Sequence, residues 1–153
     1  MIEAGAKAPE FTLPDQDGEQ ISLAELRGEN VVLYFYPRAS TPGCTTQACG
    51  VRDHLKEYKA SDARVLGVSP DPVAKVKKFH DAQKLNFTLL ADEDHAVCEL
   101  YGTWAEKSMY GKKYWGATRT TFIIDVEGVV RHVIAKASPK THDQEVLAAL
   151  AEL

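Results

Sequence analysis

The stretch VVLYFYPRASTPGCTTQAC, Val31 to Cys49, joins two kinds of sequence. Val31 to Tyr36 is an unbroken run of β-branched, aliphatic and aromatic residues, the pattern of a central strand buried on both faces. Pro37 stops it. From about Pro42 to Ala60 the pattern is helical, with Val51, Leu55 and Tyr58 at i, i+4 and i+7. Cys44 falls where the strand hands over to the helix. There the first N–H groups lack partners and the helix dipole is positive, which favours a thiolate over a thiol. Cys49 follows five residues later, in a chain with only three cysteines. The pair admits three readings: metal ligation, a structural disulfide, or sulfur chemistry.

Outward from this junction the elements alternate. Upstream, Phe11-Thr12-Leu13 and Ile21-Ser22-Leu23 flank Asp15-Gln16-Asp17-Gly18, a short hairpin with a glycine turn. Downstream, Arg64 to Val68 is a second buried strand. Ser69-Pro70-Asp71-Pro72 then opens a helix bearing Val73, Val76 and Phe79, with Asp71 as its predicted N-cap and Pro72 at its first position. Phe87 to Leu90 is a third strand and Asp92 to Tyr101 a short helix. Gly102 to Thr118 shows no period, and its Trp104, Tyr110, Tyr114 and Trp115 mark an aromatic-rich loop. Thr120–Ile124 and Val129–Ile134 around Asp125-Val126-Glu127-Gly128 form a hairpin. A last amphipathic helix spans about Thr141 to Leu153, with Val146, Leu147, Leu150 and Leu153 as its stripe. These elements suggest an α/β fold, one three-layer domain over residues 1–153 with a central mixed β-sheet flanked by helices and an N-terminal β-hairpin, a pattern compatible with a thioredoxin-like arrangement.

Composition limits the functions. The chain has 153 residues, 44% hydrophobic and 26% charged, enough for a packed core without staples. A formal net charge of −4 gives no electrostatic reason for a nucleic-acid or anionic-membrane partner. The apolar run Val31–Tyr36 is far too short to cross a bilayer. The N-terminal MIEAGAKAPEF lacks a basic and then apolar leader, so the expected location is cytoplasmic, where a permanent disulfide is disfavoured.

Metal ligation is the weaker reading on geometry. Five residues of helix turn the chain by about 140° and advance it by about 7.5 Å, so Cys44, Cys49 and His54 point to different sides. Asp92, Asp94 and His95 lie where a helix begins, and acidic residues there usually cap it. A disulfide meets a similar obstacle: the Cα atoms of Cys44 and Cys49 would stand roughly 8–9 Å apart in a regular helix, against about 4.4–6.8 Å in a disulfide. Two thiols held apart by a helix suit a two-step reaction, in which one is oxidised and the segment then opens for the other.

The pattern Pro37-x-x-x-Thr41-x-x-Cys44 resembles the active-site signature of peroxiredoxins. Cys44-Thr45-Thr46-Gln47-Ala48-Cys49 is similar to the bacterioferritin-comigratory, or Q-type, subfamily. Phe11–Asp15, Asn86–Asp92, Gly102-x-Trp104 and Arg119–Asp125 resemble the same subfamily in the same order, so the likeness spans nearly the whole chain. It implies a thiol peroxidase acting on hydrogen peroxide and organic hydroperoxides, with no cofactor and no metal. Cys44 would be the peroxidatic cysteine and Cys49 the resolving one. Thr41 would offer its hydroxyl to the thiolate and the peroxide, Pro37 would shield the pocket, and Arg119 would lie by the thiolate. Thioredoxin or glutaredoxin would recycle a monomeric enzyme.

Taken singly, these residues have plainer readings. Thr41 suits a turn before Pro42, Arg119 a solvated ion pair, and Trp104, Tyr110 and Trp115 packing. Arg52 is a nearer cation, but eight residues along a helix carry it about two turns away. Cys98, between Val97 and Leu100, reads as a buried structural thiol. Two other functions stay open: a dithiol–disulfide oxidoreductase, which usually carries a CxxC that is missing here, and a non-enzymatic redox-sensing or chaperone-like module.

Overall fold

The computed structural model describes residues 1–153. The predicted first hairpin is formed by β1 (Thr12–Pro14) and β2 (Gln20–Ser22), with Leu13 opposite Ile21. A 3-10 turn, Leu23–Leu26, leads into β3 (Asn30–Phe35). Then follow α1 (Pro42–Asp53), α2 (Leu55–Ala60), β4 (Ala63–Ser69), α3 (Val73–Ala82), β5 (Thr88–Ala91) and α4 (Ala96–Leu100). The chain closes with β6 (Trp104–Met109), β7 (Lys112–Ala117), β8 (Thr120–Ile124), β9 (Val130–Ile134) and α5 (His142–Leu150).

The main sheet has the order β5-β4-β3-β8-β9. Strands β3, β4 and β5 run parallel through helical crossovers, while β8 and β9 join antiparallel. This is the expected mixed sheet. As its sequence requires, β3 is buried on both sides. Val32, Tyr34 and Tyr36 enter one core with Cys44, Val51, Val76 and Val146; Val31, Leu33 and Phe35 enter the other with Phe11, Cys98 and Tyr101. Helices α1, α3 and α5 cover the first face; α4 and the N-terminal segment cover the second.

Four expectations need correcting. Residues 102–118 are not a loop: β6 and β7 pair antiparallel, Trp104 opposite Ala117, through Tyr110-Gly111 at φ 52° and 78°. Two successive positive φ values make the tight hairpin turn that Asn-Gly more often supplies. The hairpin lacked a visible alternation because four of the six β7 residues are exposed in a row. Next, the helix of residues 42–60 breaks at His54, whose ring Nδ1 lies 2.9 Å from the Gly50 carbonyl, sharing an acceptor of the helical ladder. Third, Asp71 does not cap α3. Its carboxylate instead accepts the Ala39 N–H at 2.8 Å, and Pro72 itself is the N-cap. Last, α5 stops at Leu150, and Leu153 is exposed.

Candidate active site

Thr41 has the extended dihedrals of an N-cap, and Pro42 opens α1 with its ring-fixed φ, so Cys44 lies in the first turn. The thiol is buried, 2% exposed, at the edge of the first core. Arg119 reaches it from across the sheet. Phe35 pairs with Thr120, which brings the residue before β8 level with the end of β3. Arg119 Nη2 then donates to Cys44 Sγ at 3.3 Å, while Nη1 donates to Gln47 Oε1 at 2.6 Å. One guanidinium thus spans a thiol and an amide one helical turn apart. Gly43 leaves it room, since a Cβ there would lie 3.2 Å from Nη2.

The sulfur thus sits between a guanidinium and the N-terminal turn of α1. The other predicted residues are near, though not all in the expected contact. The Thr41 hydroxyl donates to the Arg38 carbonyl at 2.9 Å, not to the sulfur, as its reading as a turn residue anticipates. Pro37 and Thr41 line a cavity of about 510 Å³ whose far wall is the β6–β7 hairpin, with Lys107, Met109, Tyr114 and Trp115. Trp115 therefore belongs to the rim, whereas Trp104 packs against the His95 ring at 4.0 Å between centroids.

Cys49 is half-buried and points elsewhere, its Sγ donating to Gln83 Oε1 at 3.5 Å. All three cysteines are free thiols, and α1 is continuous through Cys44 and Cys49. Arg52 is bound to Asp53 and to the Gln83 carbonyl, away from Cys44. Cys98 is fully buried in the opposite core, its thiol pushed far up by burial and by Asp92. The central sheet separates it from Cys44. Asp92 accepts the N–H groups of Val97 and Cys98, and Asp94 that of Ala96, which is the capping role expected of them.

Three residues escaped the sequence reading. Gln47 stands three positions after Cys44, a spacing that faces it the same way on a helix, and that was its only signal. Lys107 lay within the supposed loop; burial and the nearby Arg119 lower its amine below the ordinary lysine value, and the Cys44 sulfur opposes this. His142 is fully buried beneath the site, its Nε2 2.8 Å from the Thr121 hydroxyl. Burial, and then Arg119, hold it down to about 4, so it stays neutral.

The AhpC/TSA family model matches residues 4–133. Peroxiredoxin Bcp of Escherichia coli K12 is 50% identical over 146 residues, covering 95% of this chain and 94% of its own. Among solved structures, peroxidoxin BcpB of Mycobacterium tuberculosis is 37% identical, with a TM-score of 0.89 over 100% of this chain and 99% of that one. The bacterioferritin comigratory protein of Xanthomonas campestris is 36% identical, with a TM-score of 0.90 over 98% of each chain. With this fold and this ancestry, the chain belongs to the AhpC/TSA family as a peroxiredoxin of the bacterioferritin-comigratory, Q-type branch.

Proposed function

We propose that this thiol peroxidase works through Cys44 as peroxidatic cysteine and Cys49 as resolving cysteine. The observation that carries the assignment is the Arg119 Nη2–Cys44 Sγ contact of 3.3 Å in the first turn of α1. The Cys44 thiolate attacks the distal peroxide oxygen. The O–O bond breaks, a sulfenic acid forms, and the departing oxygen leaves as hydroxide or alkoxide and takes a proton. Arg119 stabilises the thiolate before the reaction and the developing oxyanion during it. Pro37 keeps bulk water from the sulfur. The Thr41 hydroxyl turns from the Arg38 carbonyl to the thiolate and the incoming oxygen.

The Cys49 thiol then condenses with the sulfenic acid, giving the Cys44–Cys49 disulfide and water. That step requires α1 to unwind. A thioredoxin or glutaredoxin dithiol reduces the disulfide, with the chain acting as one domain and as a monomer in the cytoplasm. Both hydrogen peroxide and organic hydroperoxides are substrates. Alkyl peroxide reduction named for the Xanthomonas relative supports the second class, and so does the 510 Å³ cavity beside Thr41. No helix is long and apolar enough to cross a membrane.

An NADPH-coupled assay with peroxide, thioredoxin and its reductase tests the roles. Cys44→Ser should consume no peroxide. Cys49→Ser should react once, leave a sulfenic acid that dimedone traps, and fail to turn over. Near-normal turnover of Cys44→Ser would refute the assignment.

A further inference from the structure

Scission of an O–O bond turns the departing oxygen into a strong base, and a proton donor beside it speeds the step. Most groups near Cys44 are unsuited to give that proton. Arg119 holds its own too tightly. Burial pushes the Tyr34 and Tyr36 hydroxyls up, and His142 is neutral and turned to Thr121. Lys107 differs. On β6 it is half-buried between the exposed Glu106 and Ser108. Its stem crosses Gly116 of β7, where a Cβ would lie 3.7 and 3.8 Å from the Lys107 Cδ and Cε. The amine at its end donates to the carbonyl of Ala117, a fully buried residue two positions before Arg119. No carboxylate lies within 4.0 Å of that amine, whereas Lys113 of β7 pairs with Glu106 at 3.7 Å. The Ala117 carbonyl takes one of the three ammonium protons and leaves two.

Lys107 shares the cavity of about 510 Å³ with Pro37 and Thr41. In-line attack by sulfur puts the leaving oxygen on the far side of the distal one, toward the space into which an alkyl group must extend. We propose that the Lys107 ammonium is the general acid of peroxide scission, giving its proton to the oxygen that leaves. This rests on Cys44 being the peroxidatic cysteine. Tyr114, directly across from Lys107 on β7, is the one other cavity residue with a proton of comparable acidity, but it is 42% exposed at the rim.

The step balances. Cys44 Sγ bonds to the distal oxygen, which keeps its own proton and becomes the sulfenic hydroxyl. The electron pair of the O–O bond goes to the proximal oxygen, which takes the Lys107 proton and departs as water or alcohol. Sulfur loses two electrons and the peroxide gains them. Lys107 is left as a neutral amine and regains a proton from solvent. Burial and the neighbouring Arg119 make that transfer easier, since giving up the proton removes a desolvated charge and one of two adjacent cations.

The test uses the reduced full chain, with Cys44 oxidation followed by stopped flow in a single turnover. The oxidants are tert-butyl hydroperoxide, whose leaving alkoxide is strongly basic, and peracetic acid, whose leaving acetate needs no proton. Lys107→Met should slow tert-butyl hydroperoxide about a hundredfold and peracetic acid by no more than about twofold. Lys107→Arg keeps the cation but cannot give up its proton, so it should show the same selective loss. Equal losses with both oxidants would overturn the proposal, because they would mark a role in packing or binding. Full rescue by Lys107→Arg would overturn it too, leaving charge alone. So would a selective loss of tert-butyl hydroperoxide in Tyr114→Phe, which would make Tyr114 the donor; its ratio of the two rates should match the wild type. Failure of the underlying reading is separately visible, as wild-type protein whose dimedone adduct maps to a cysteine other than Cys44.

Discussion

Arg119 shows how much one side chain carries. Its fork holds the thiol with one nitrogen and Gln47 with the other, so charge and orientation are supplied together. Lysine could keep the charge but has no planar fork to share between two acceptors. Arg119→Met should slow oxidation of Cys44 by about a hundredfold, the usual scale for losing one charged donor at a developing oxyanion. Arg119→Lys should fall between it and wild type. Gln47→Ala, which leaves the guanidinium present but unbraced, should cost about tenfold. Stopped-flow oxidation under single-turnover conditions reads all three. Equal rates for Arg119→Met and wild type would remove the arginine from the reaction.

The element that must move is α1, and its anchoring is light. Of its buried residues, Cys44, Gln47, Ala48 and Val51, only Val51 is a sizeable apolar side chain. Burying a valine is worth roughly 1.5–3 kcal/mol, so the helix can melt without dismantling the core. Gly50 lies against Asp143 of α5, where a Cβ would be 2.2 Å from a carboxylate oxygen. Asp143 also accepts the Tyr58 hydroxyl at 2.5 Å, and this tie lies in α2, beyond the break at His54. Melting from Thr41 to Arg52 can therefore leave α2 attached. Amide exchange of reduced and disulfide forms should show lost protection in that segment and little elsewhere. The disulfide form should be the less stable, because a cross-link across five residues contributes only about 2 kcal/mol, while melting gives up the burial of Val51, the helical hydrogen bonds and the Arg119–Gln47 contact together. A helix stabilised by substitution on its solvent face should prolong the sulfenic acid and increase sulfinic acid. Equal protection in both forms, with the bridge verified by mass, would exclude local unfolding.

At the scale of the whole molecule, the two cores differ in what they hold. The α1–α3–α5 side contains the reactive sulfur and a set of polar groups with no protein partner: the Tyr34 and Tyr36 hydroxyls, Gln47 Nε2 and His142 Nδ1. On the other side the buried polar groups beside Cys98 are paired: Asp92 accepts the Val97 and Cys98 N–H groups, and the Thr103 hydroxyl donates to the Cys98 carbonyl. Folding keeps His142 neutral, with a folded pKa of about 4 against the usual 6.5. The unfolded chain thus binds the extra proton between these values, and stability rises with pH across that window. The stabilisation is complete above pH 6.5 and is lost as pH falls to 4, a span of about 3 kcal/mol. Denaturant melts of wild type and His142→Gln from pH 4 to 7 should show a steeper pH slope in the wild type. Parallel slopes would mean that His142 is already neutral in the unfolded chain, or charged in the folded one.

Local patterns in the sequence were enough for β3, β4 and their crossover helices, for both glycine hairpins, and for Cys44 at a strand-to-helix junction. Each of these signals lies within a turn or two of chain, where side-chain period and capping act directly. The strand run Val31–Tyr36 also implied burial on both faces, since no residue in it could face water. Arg119 became legible through family resemblance alone, 75 residues from Cys44, because nothing local marks a strand-edge arginine as a ligand of sulfur. The antiparallel register of β8 on β3 brings it there, and a shift of one residue would turn neighbouring side chains to the opposite face. The β6–β7 wall with Lys107 stayed hidden for a related reason: an exposed two-stranded hairpin buries too little on either face to leave a period in its sequence. The assignment of Cys98 to the far core and of Asp71 to the Ala39 amide likewise arose only when the sheet set which segment lies beside which.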